Sequence, residues 1–310
     1  MRIIHTLDEL ATVSGPVCLA IGVFDGVHRG HQQLIRQVVD DARAVAGQSV
    51  VMTFDPHPAR VLQPDKAPPL LTSTPHKRQL IEQLGAAVCL LLTFDRAFAQ
   101  TSPEEFIALV AKHTPRLHEI CVGTRFRFGH HRAGDVRLIE KLAGQYGYVA
   151  REIAAVTLDH EIISSTAVRQ CVQRGDLDRA AAMLGRPFSV LGTVEPGDQR
   201  GKGLGYPTAN LNPHNEVLPP DGVYAVRTQL GGESLGGVAN LGSRPTFAGG
   251  QGTRVLEAHL FDFHRDIYGQ DLEVTFLKKL RAEMKFPSAA ALQEQIAEDV
   301  AAARQLIGKK

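Results

Sequence analysis

The feature that most constrains the fold is an apolar run that leads through a glycine-rich turn into a helical pattern. Residues 17–23 are apolar apart from one glycine, which predicts a buried parallel strand. The turn contains three glycines, Gly22, Gly26 and Gly30. From His31 onward, apolar residues recur at helical spacing. A strand, a turn and a helix N-terminus in this order present backbone N–H groups to a phosphate, so the stretch predicts an anion site.

Two histidines, His28 and His31, lie on this turn, three residues apart. If the backbone is already helical there, both rings face the same side. Two imidazoles directed at a phosphate-binding helix start indicate nucleotidyl transfer and make both residues catalytic candidates. The alternative is a pair of surface or helix-capping histidines. The chain contains neither the G-x-G-x-x-G fingerprint nor G-x-x-x-x-G-K-[ST], so the histidine spacing is the more specific signal.

Length and composition bound the class of protein. A chain of 310 residues is long enough to form two domains, each with its own core, and its 44% apolar content is typical of globular proteins. A net charge of +1 gives no general attraction to nucleic acid or to an anionic membrane. No segment is apolar enough to span a bilayer. The four cysteines are far apart and form no C-x-x-C, which favours the reducing cytoplasm.

Strand and helix patterns alternate through the first half of the chain. Apolar runs predict strands at 48–54, 86–94, 117–122 and 148–156, and helical patterns occur at 31–46, 76–84, 103–112 and 135–146. This alternation predicts a parallel, doubly wound α/β sheet. Ligands bind such sheets at the carboxyl ends of the strands.

Three further segments of the first half are placed to bind an anionic substrate. They are Asp55-Pro56-His57-Pro58 at a strand end, the basic stretch 125–132 with Arg127 and Arg132, and the cluster Ser164, Ser165, Thr166 and Arg169 at a helix start. Each has a purely structural alternative: a proline-rich turn, a solvated basic loop and a helix N-cap.

The second half has a different composition. A helix predicted over 166–184 ends at Gly185-Arg186-Pro187, which indicates a domain boundary and gives domains 1–186 and 187–310. Short β-like runs follow at 188–194, 223–230, 235–241, 255–263 and 271–277. Their turn density predicts an antiparallel barrel. The amphipathic stretch 288–307 predicts a C-terminal helix packed against that barrel.

One stretch of the second half carries the chemistry of a nucleotide site. Its glycines allow the backbone to wrap around phosphates. The candidate nucleotide-binding residues of this loop are Gly197, Gly201, Lys202, Gly203 and Gly205. Thr208 and Asn210 share one face of an extended chain and offer oxygen ligands to Mg²⁺. Farther on, Glu257 lies among apolar residues of a predicted strand, as a general base would. A flexible hairpin and an exposed strand glutamate are the alternatives.

These stretches together resemble the bacterial bifunctional riboflavin kinase/FAD synthetase family over nearly the whole chain. The first half carries Phe24-Asp25-Gly26-Val27-His28-x-Gly-His31, Phe54-Asp55-Pro56-His57-Pro58, Phe126-Arg127-Phe128-Gly129 and Ile163-Ser164-Ser165-Thr166-Ala167-Val168-Arg169. The second half carries Gly205-Tyr206-Pro207-Thr208-Ala209-Asn210-Leu211, Pro245-Thr246-Phe247 and Asp262-Phe263-x-x-Asp266-x-Tyr268-Gly269. The H-x-G-H segment is also the signature of the nucleotidyltransferase superfamily.

The resemblance implies a Rossmann-like FMN adenylyltransferase domain followed by a riboflavin kinase barrel. Riboflavin, FMN, FAD and ATP are the implied partners, ATP is the co-substrate, and Mg²⁺ is the implied metal ion. His28, His31 and Glu257 are implied to be catalytic. Implied adenylyltransferase nucleotide contacts are Gly22, Phe24, Asp25, Gly26, Ser164, Ser165, Thr166 and Arg169, and implied flavin contacts are Asp55, Pro56, His57, Pro58 and Arg127. In the kinase, Thr208 and Asn210 are implied to hold Mg²⁺–ATP and the 197–205 loop to cover the phosphates.

Two positions depart from the family pattern. Members usually have Asn where this chain has Val23, and Asp or Asn where it has Arg125. One alternative is therefore a kinase whose first domain binds flavin without adenylylating it. Another is a different nucleotidyltransferase, such as a cytidylyltransferase, fused to a barrel. We expect a cytoplasmic monomer or weak homo-oligomer.

Overall fold

A computed structural model of the chain describes residues 1–197, 203, 205–244 and 253–308. The chain forms two compact units. The first unit contains Met1–Pro69 and Thr74–Ser165, and the second contains Leu70–Ser73 and Thr166–Lys310.

The first unit is built on a six-stranded, all-parallel sheet with the order β1-β4-β3-β2-β5-β6. The strands are β1 (Arg2–Ile4), β2 (Val17–Ile21), β3 (Gln48–Asp55), β4 (Val88–Thr93), β5 (Leu117–Gly123) and β6 (Val149–Ile153). This confirms the predicted doubly wound sheet. The sequence did not predict β1, because three residues carry too little periodicity to be recognised. A short hairpin, β7 (Thr157–Leu158) with β8 (Glu161–Ile162), follows β6.

Helices cover both faces of this sheet. They are α1 (Arg29–Ala44), α3 (Thr74–Gln83), α4 (Pro103–His113) and α5 (Val136–Tyr146). The short helix α2 (Pro58–Leu62) contains no buried residue. Successive residues of a strand point to opposite faces, so Leu19 and Ile21 join one buried cluster while Cys18 and Ala20 join the other. The helices α4 and α5 pack on the first cluster, and α1 and α3 pack on the second.

The strand order reverses beside β2. The chain proceeds from β2 to β3 and β4 on one side, and later to β5 and β6 on the other. In open α/β sheets the crevice at such a reversal, beyond the carboxyl ends of the strands, is where ligands bind. The turn from β2 into α1 opens at this reversal, so the stretch that contains the histidine pair lies where ligands bind in this class of sheet.

The helix predicted over 166–184 is two helices, α6 (Ser165–Arg174) and α7 (Leu177–Leu184). Gly175 adopts a left-handed φ of +81°, and the Asp176 side chain caps α7 by accepting from the Arg179 N–H at 3.1 Å. A left-handed glycine followed by an aspartate cap ends one helix and begins the next, which corrects the single-helix prediction. The predicted stop at Gly185 is confirmed as the α7 C-cap.

The rest of the second unit is a closed six-stranded antiparallel barrel, as predicted, with the order β10-β13-β12-β11-β14-β9. Its strands are β9 (Ser189–Glu195), β10 (Ala209–Pro213), β11 (Gly222–Leu230), β12 (Glu233–Arg244), β13 (Thr253–Leu260) and β14 (Asp271–Arg281). Side chains fill the interior, where Tyr224 meets Phe276 edge to face at 5.1 Å between ring centres. Burial raises the pKa of Tyr224 to about 12.

The predicted C-terminal helix is α8 (Ala289–Gly308). Ala303 is fully buried against Ala225 and Phe261 of the barrel. Beside this contact, Arg281 of β14 donates to both carboxylate oxygens of Asp299, at 2.9 to 3.1 Å. Only 17% of the Arg281 side chain and 7% of the Asp299 side chain are exposed, so α8 is attached to the barrel by apolar packing and by a buried ion pair.

Replacing Asp299 by alanine should destabilise the second unit by about 3–5 kcal/mol, because the buried Arg281 guanidinium loses its counter-charge. Urea unfolding followed by circular dichroism measures this change. The matched control is Glu233→Ala, which removes the exposed ion pair with Arg265 and should cost at most about 1 kcal/mol. Equal effects from the two substitutions would show that the buried pair does not stabilise the α8 contact.

Candidate active sites

The loop from Gly22 to His28, which we call the glycine-rich loop, connects β2 to α1 in a tight conformation. Phe24, Gly26 and Val27 have φ values of +53°, +80° and +41°, and the Val27 N–H donates to the Phe24 carbonyl at 3.2 Å. The Phe24 ring is 1% exposed and lies over Gly22, where a Cβ atom would be 2.8 Å from the ring. Gly22 is therefore required by close packing. Asp25 is 4% exposed, and every residue from Phe24 to His28 is buried.

The rings of His28 and His31 do meet, but not because both residues are helical: α1 begins at Arg29, and His28 before it has extended backbone with a φ of −71° and a ψ of 170°. His28 is the N-cap residue, and its Nδ1 atom accepts from the His31 backbone N–H at 3.3 Å. The two rings stack with their centres 3.6 Å apart and their planes 17° from parallel. An accepting Nδ1 requires a neutral ring with its proton on Nε2. The capping interpretation is thus correct for His28 and is compatible with a catalytic role for its Nε2–H.

His31 is held neutral by its surroundings. The Phe24 ring contacts it edge to face, with 5.3 Å between ring centres. Its Nδ1 atom is inaccessible to solvent and has no hydrogen-bond partner among the residues that the structure describes. Burial, reinforced by the nearby His28 and Lys77, lowers the pKa of His31 well below its usual value.

The predicted serine cluster reaches the same loop. The Ser165 hydroxyl, at the start of α6, donates to the Asp25 backbone carbonyl at 2.9 Å. Ser164 precedes it in the first unit, whereas Thr166 and Arg169 belong to the second unit. Arg169 lies on α6 and is 8% exposed.

The segments predicted to contact flavin lie on loops after β3 and β5. Asp55 is exposed at the end of β3, and the His57 Nδ1 atom caps α2 by accepting from the Ala59 N–H at 3.1 Å, with Pro58 in the first turn. Arg127 is exposed on the loop after β5, and its Nη1 donates to the Phe126 carbonyl at 3.1 Å. Two residues differ from those usual in the family: Val23 packs against the sheet core, and Arg125 is exposed.

Between these loops lies a group of aromatic rings that the sequence did not single out, which we call the phenylalanine cluster. Neighbouring ring centres are 5.3 to 6.2 Å apart. Its members are Phe54, Phe94, Phe98, Phe106, Phe126 and Phe128. The Phe94 N–H also donates to the Asp55 carbonyl at 3.1 Å, which joins the backbone after β4 to the end of β3. Phe54, Phe106 and Phe128 are buried in the sheet core, and Phe94, Phe98 and Phe126 are half-buried against it.

In the second unit, strand register places the predicted kinase residues side by side. Asn210 of β10 is directly opposite Glu257 of β13, and Glu257 is directly opposite Asn240 of β12. Directly opposite residues share a face of the sheet, so the three side chains form one polar row. Leu256 and Ala258 are fully buried on the other face. The apolar neighbours expected around Glu257 therefore face the barrel interior, and Glu257 itself is half-buried on the outside.

The row continues to a residue that the sequence did not indicate. Asn240 donates to the Glu283 carboxylate at 3.4 Å, and a Cβ atom on Gly242 would lie 2.0 Å from the same oxygen. Glu283 is 43 residues from Asn240 in the sequence, so only the folded chain brings them together.

Gly197 also belongs to this face. A Cβ atom there would lie 2.0 Å from the Asn210 Nδ2 atom, so a larger residue at 197 would displace the Asn210 side chain. Thr208 directly precedes β10, and Gly203 and Gly205 are exposed. Gly201, Lys202 and the Pro245-Thr246-Phe247 motif lie outside the described residues.

Comparison with known proteins assigns each half to a family. A family model described as FAD synthetase matches residues 11–167, and one described as riboflavin kinase matches residues 184–307. The bifunctional riboflavin kinase/FMN adenylyltransferase of Escherichia coli (strain K12) is 39% identical over 311 residues, which cover 99% of this chain and 98% of that protein. The Bacillus subtilis (strain 168) protein of the same name is 37% identical and covers 91% of this chain and 89% of its own.

A solved structure of a protein named macrolide-efflux protein, from Streptococcus pneumoniae, has the same fold. The TM-score is 0.83 at 29% identity, and the match covers 98% of this chain and 99% of that one. Among the described residues of this chain, no helix combines the length and apolarity needed to cross a membrane.

The low pKa of His31 should make stability fall on acidification. Unfolded histidine binds a proton near pH 6.5 and folded His31 does not, so the unfolded state gains up to about 1.4 kcal/mol per pH unit below that value. Urea unfolding at pH 7.5, 6.5 and 5.5 measures the slope. His31→Phe should lose stability less steeply below pH 6.5, since the other histidines are common to both proteins. An identical slope in the two proteins would contradict the neutral, buried state of His31.

Proposed function

Because the chain belongs to the bifunctional riboflavin kinase/FMN adenylyltransferase family, we propose that its two reactions are divided between residues 1–186 and 187–310. The enzyme phosphorylates riboflavin to FMN with ATP, then transfers AMP from ATP to FMN and releases pyrophosphate. The streptococcal protein of the same fold is named for another activity, macrolide efflux. The full-length matches to bifunctional enzymes have higher identity and support flavin chemistry here.

The proposal for the first half rests on the stacked rings of His28 and His31 at the start of α1. An FMN phosphate oxygen attacks the α-phosphorus of ATP, the bond to the β-phosphate oxygen breaks, and pyrophosphate leaves without a covalent enzyme intermediate. Negative charge grows on the phosphate oxygens during this step. The Nε2–H of His28 is already oriented by the Nδ1 cap, so it can stabilise that charge without reorganising. His31 lies against it and completes the pair.

The remaining predicted residues bind the two substrates. The backbone at Gly22, Phe24, Asp25 and Gly26 lines the nucleotide site, and Ser164, Ser165, Thr166 and Arg169 bind the ATP phosphates. The hydrogen bond from Ser165 to the Asp25 carbonyl supports this arrangement. FMN contacts Asp55, Pro56, His57, Pro58 and Arg127, where the phenylalanine cluster supplies apolar surface.

In the second half, Glu257 takes the proton from the ribityl 5′-hydroxyl as that oxygen attacks the γ-phosphorus of ATP. Thr208 and Asn210 would hold Mg²⁺ with the nucleotide, and the loop from Gly197 to Gly205 would cover the phosphates. Oxygen donors beside a carboxylate are ligands that Mg²⁺ accepts, and the register of Asn210 with Glu257 supports the assignment. The ion would supply positive charge to offset that of the phosphates. We also propose a cytoplasmic enzyme that is a monomer or a weak homo-oligomer.

His28→Ala should reduce FAD formation from FMN about 10²–10³-fold, because one preorganised donor to the transition state is lost. FMN formation from riboflavin should be unchanged. Glu257→Gln should give the reverse pattern. Chromatography of the flavins over time, with riboflavin or FMN supplied with ATP and Mg²⁺, measures both steps. FAD formation that persists in His28→Ala, or FMN formation that persists in Glu257→Gln, would disprove the assigned roles.

The same assay tests the alternative suggested by Val23 and Arg125, in which the first domain binds flavin without adenylylating it. Wild-type protein supplied with FMN, ATP and Mg²⁺ should release FAD and pyrophosphate. A first half that binds flavin without adenylylating it would leave the FMN unchanged.

Gly197→Ala should abolish most riboflavin phosphorylation, because the new Cβ displaces the Asn210 side chain from its position beside Glu257. FAD formation from supplied FMN should continue at the wild-type rate. Gly144→Ala is a matched control, since that glycine of α5 has open space around its Cβ position and should keep both activities. Wild-type kinase activity in Gly197→Ala would show that Asn210 does not need this fixed position.

A further inference from the structure

A buried lysine lies directly beneath the glycine-rich loop. Lys77 is on α3, is 6% exposed, and directs its ammonium group at three acceptors. Its Nζ atom donates to the Thr53 hydroxyl at 3.1 Å and to the carbonyls of Val23 and Phe54 at 3.3 Å each. A lysine ammonium has three N–H donors, so protein acceptors use all of them and none is left for a phosphate.

The three acceptors join two segments of the adenylyl-transfer site. Val23 immediately precedes the glycine-rich loop residue Phe24, and Phe54 immediately precedes Asp55. Thr53 reinforces the link, because its hydroxyl donates to the Val23 carbonyl at 3.0 Å while it accepts from Lys77. The Val23 carbonyl therefore accepts two hydrogen bonds just before the backbone turns into the left-handed region.

That backbone needs external support. Non-glycine residues with positive φ are strained, and Phe24 and the β-branched Val27 both adopt such values. Such conformations persist only where the surrounding structure fixes them. Lys77 and Thr53 supply hydrogen bonds at the point where this strained turn begins.

The Lys77 ammonium group interacts electrostatically with charged residues on both sides of it. Burial lowers the pKa of Lys77, and the carboxylates of Asp25 and Asp55 oppose this effect. The same cation adds to the burial that lowers the pKa of His31, together with His28 on the same turn. One buried group thus acts on both the nucleotide side and the flavin side of the site.

We propose that Lys77 is a positioning residue for adenylyl transfer, which fixes the glycine-rich loop to the end of β3 and so aligns the histidine pair with the FMN phosphate. The inference rests on the proposed role of His28 and His31. Because Lys77 has no donor left for substrate, it acts on the orientation of the reacting groups rather than on substrate affinity.

The test is Lys77→Met, which keeps the length of the side chain and removes its charge and donors. We expect kcat for FAD formation from FMN to fall about 10–10²-fold, the cost of a small misalignment of reacting groups. The KM values for ATP and FMN should change less than about threefold, and riboflavin phosphorylation should be unaffected. Lys112→Met, at a lysine on α4 remote from this network, should match wild type. Melting temperatures of each variant allow rates to be expressed per folded molecule.

Thr53→Val provides a second variant should Lys77→Met fold poorly. It removes the hydroxyl that joins Lys77 to the Val23 carbonyl and should lower kcat in the same direction by a smaller factor. Because the two residues share one network, the double variant should lose less activity than the product of the two single losses.

Three outcomes would overturn the inference: wild-type kcat in Lys77→Met, a loss confined to the KM for ATP, or independent effects of Lys77 and Thr53. If His28→Ala still loses FAD formation in that case, only the role of Lys77 is wrong. If His28→Ala keeps FAD formation, the proposed role of the histidine pair is itself wrong.

Discussion

The first unit depends on how the chain leaves β2. A parallel strand buried on both faces must end, reverse and begin a helix within seven residues, and it does so through backbone with positive φ. The Val23 carbonyl fixes the start of this turn, and the His28 side chain fixes its end by capping α1. Because both ends of the loop are held by hydrogen bonds, the backbone between them can keep a strained shape.

Burial around this turn controls the charge that its side chains carry. Water does not reach the His31 Nδ1 atom, so a protonated ring would be unfavourable there. The same burial would make an isolated lysine costly, but Lys77 has three acceptors and two nearby carboxylates. A neutral imidazole pair and a buried cation therefore coexist within one small region. Such regions, with several perturbed groups, are typical of sites where charge develops during a reaction.

The sequence was informative for many features whose structural cause is local. Periodicity identified most of the alternating strands and helices of the first unit, and the spacing of His28 and His31 indicated that their rings face the same side. The break between α6 and α7 also has a local cause, Gly175-Asp176, but the apolar pattern continues across it and concealed it. Turn density also predicted the antiparallel barrel, whereas the order of its strands depends on pairings between distant segments that no local pattern shows.

Contacts between distant parts of the chain were beyond local patterns. Lys77 is 54 residues from Val23, and a lysine on a helix is ordinarily exposed, so nothing near it in the sequence indicates burial. Asp299 is likewise hidden on the apolar side of α8 by its partner on β14. For Glu257, adjacency in sequence was misleading, since neighbours in a strand face opposite sides and only cross-strand register reveals Asn210 and Asn240 beside it.

Closure of the barrel limits how the second unit can meet another molecule. Since β9 pairs with both β14 and β10, each of the six described strands in the ring has a neighbour on both sides. None of these six strands offers a full row of free backbone groups to which a foreign strand could be added. A partner strand therefore cannot extend this ring along a whole strand, as it could at the open edge of a sheet.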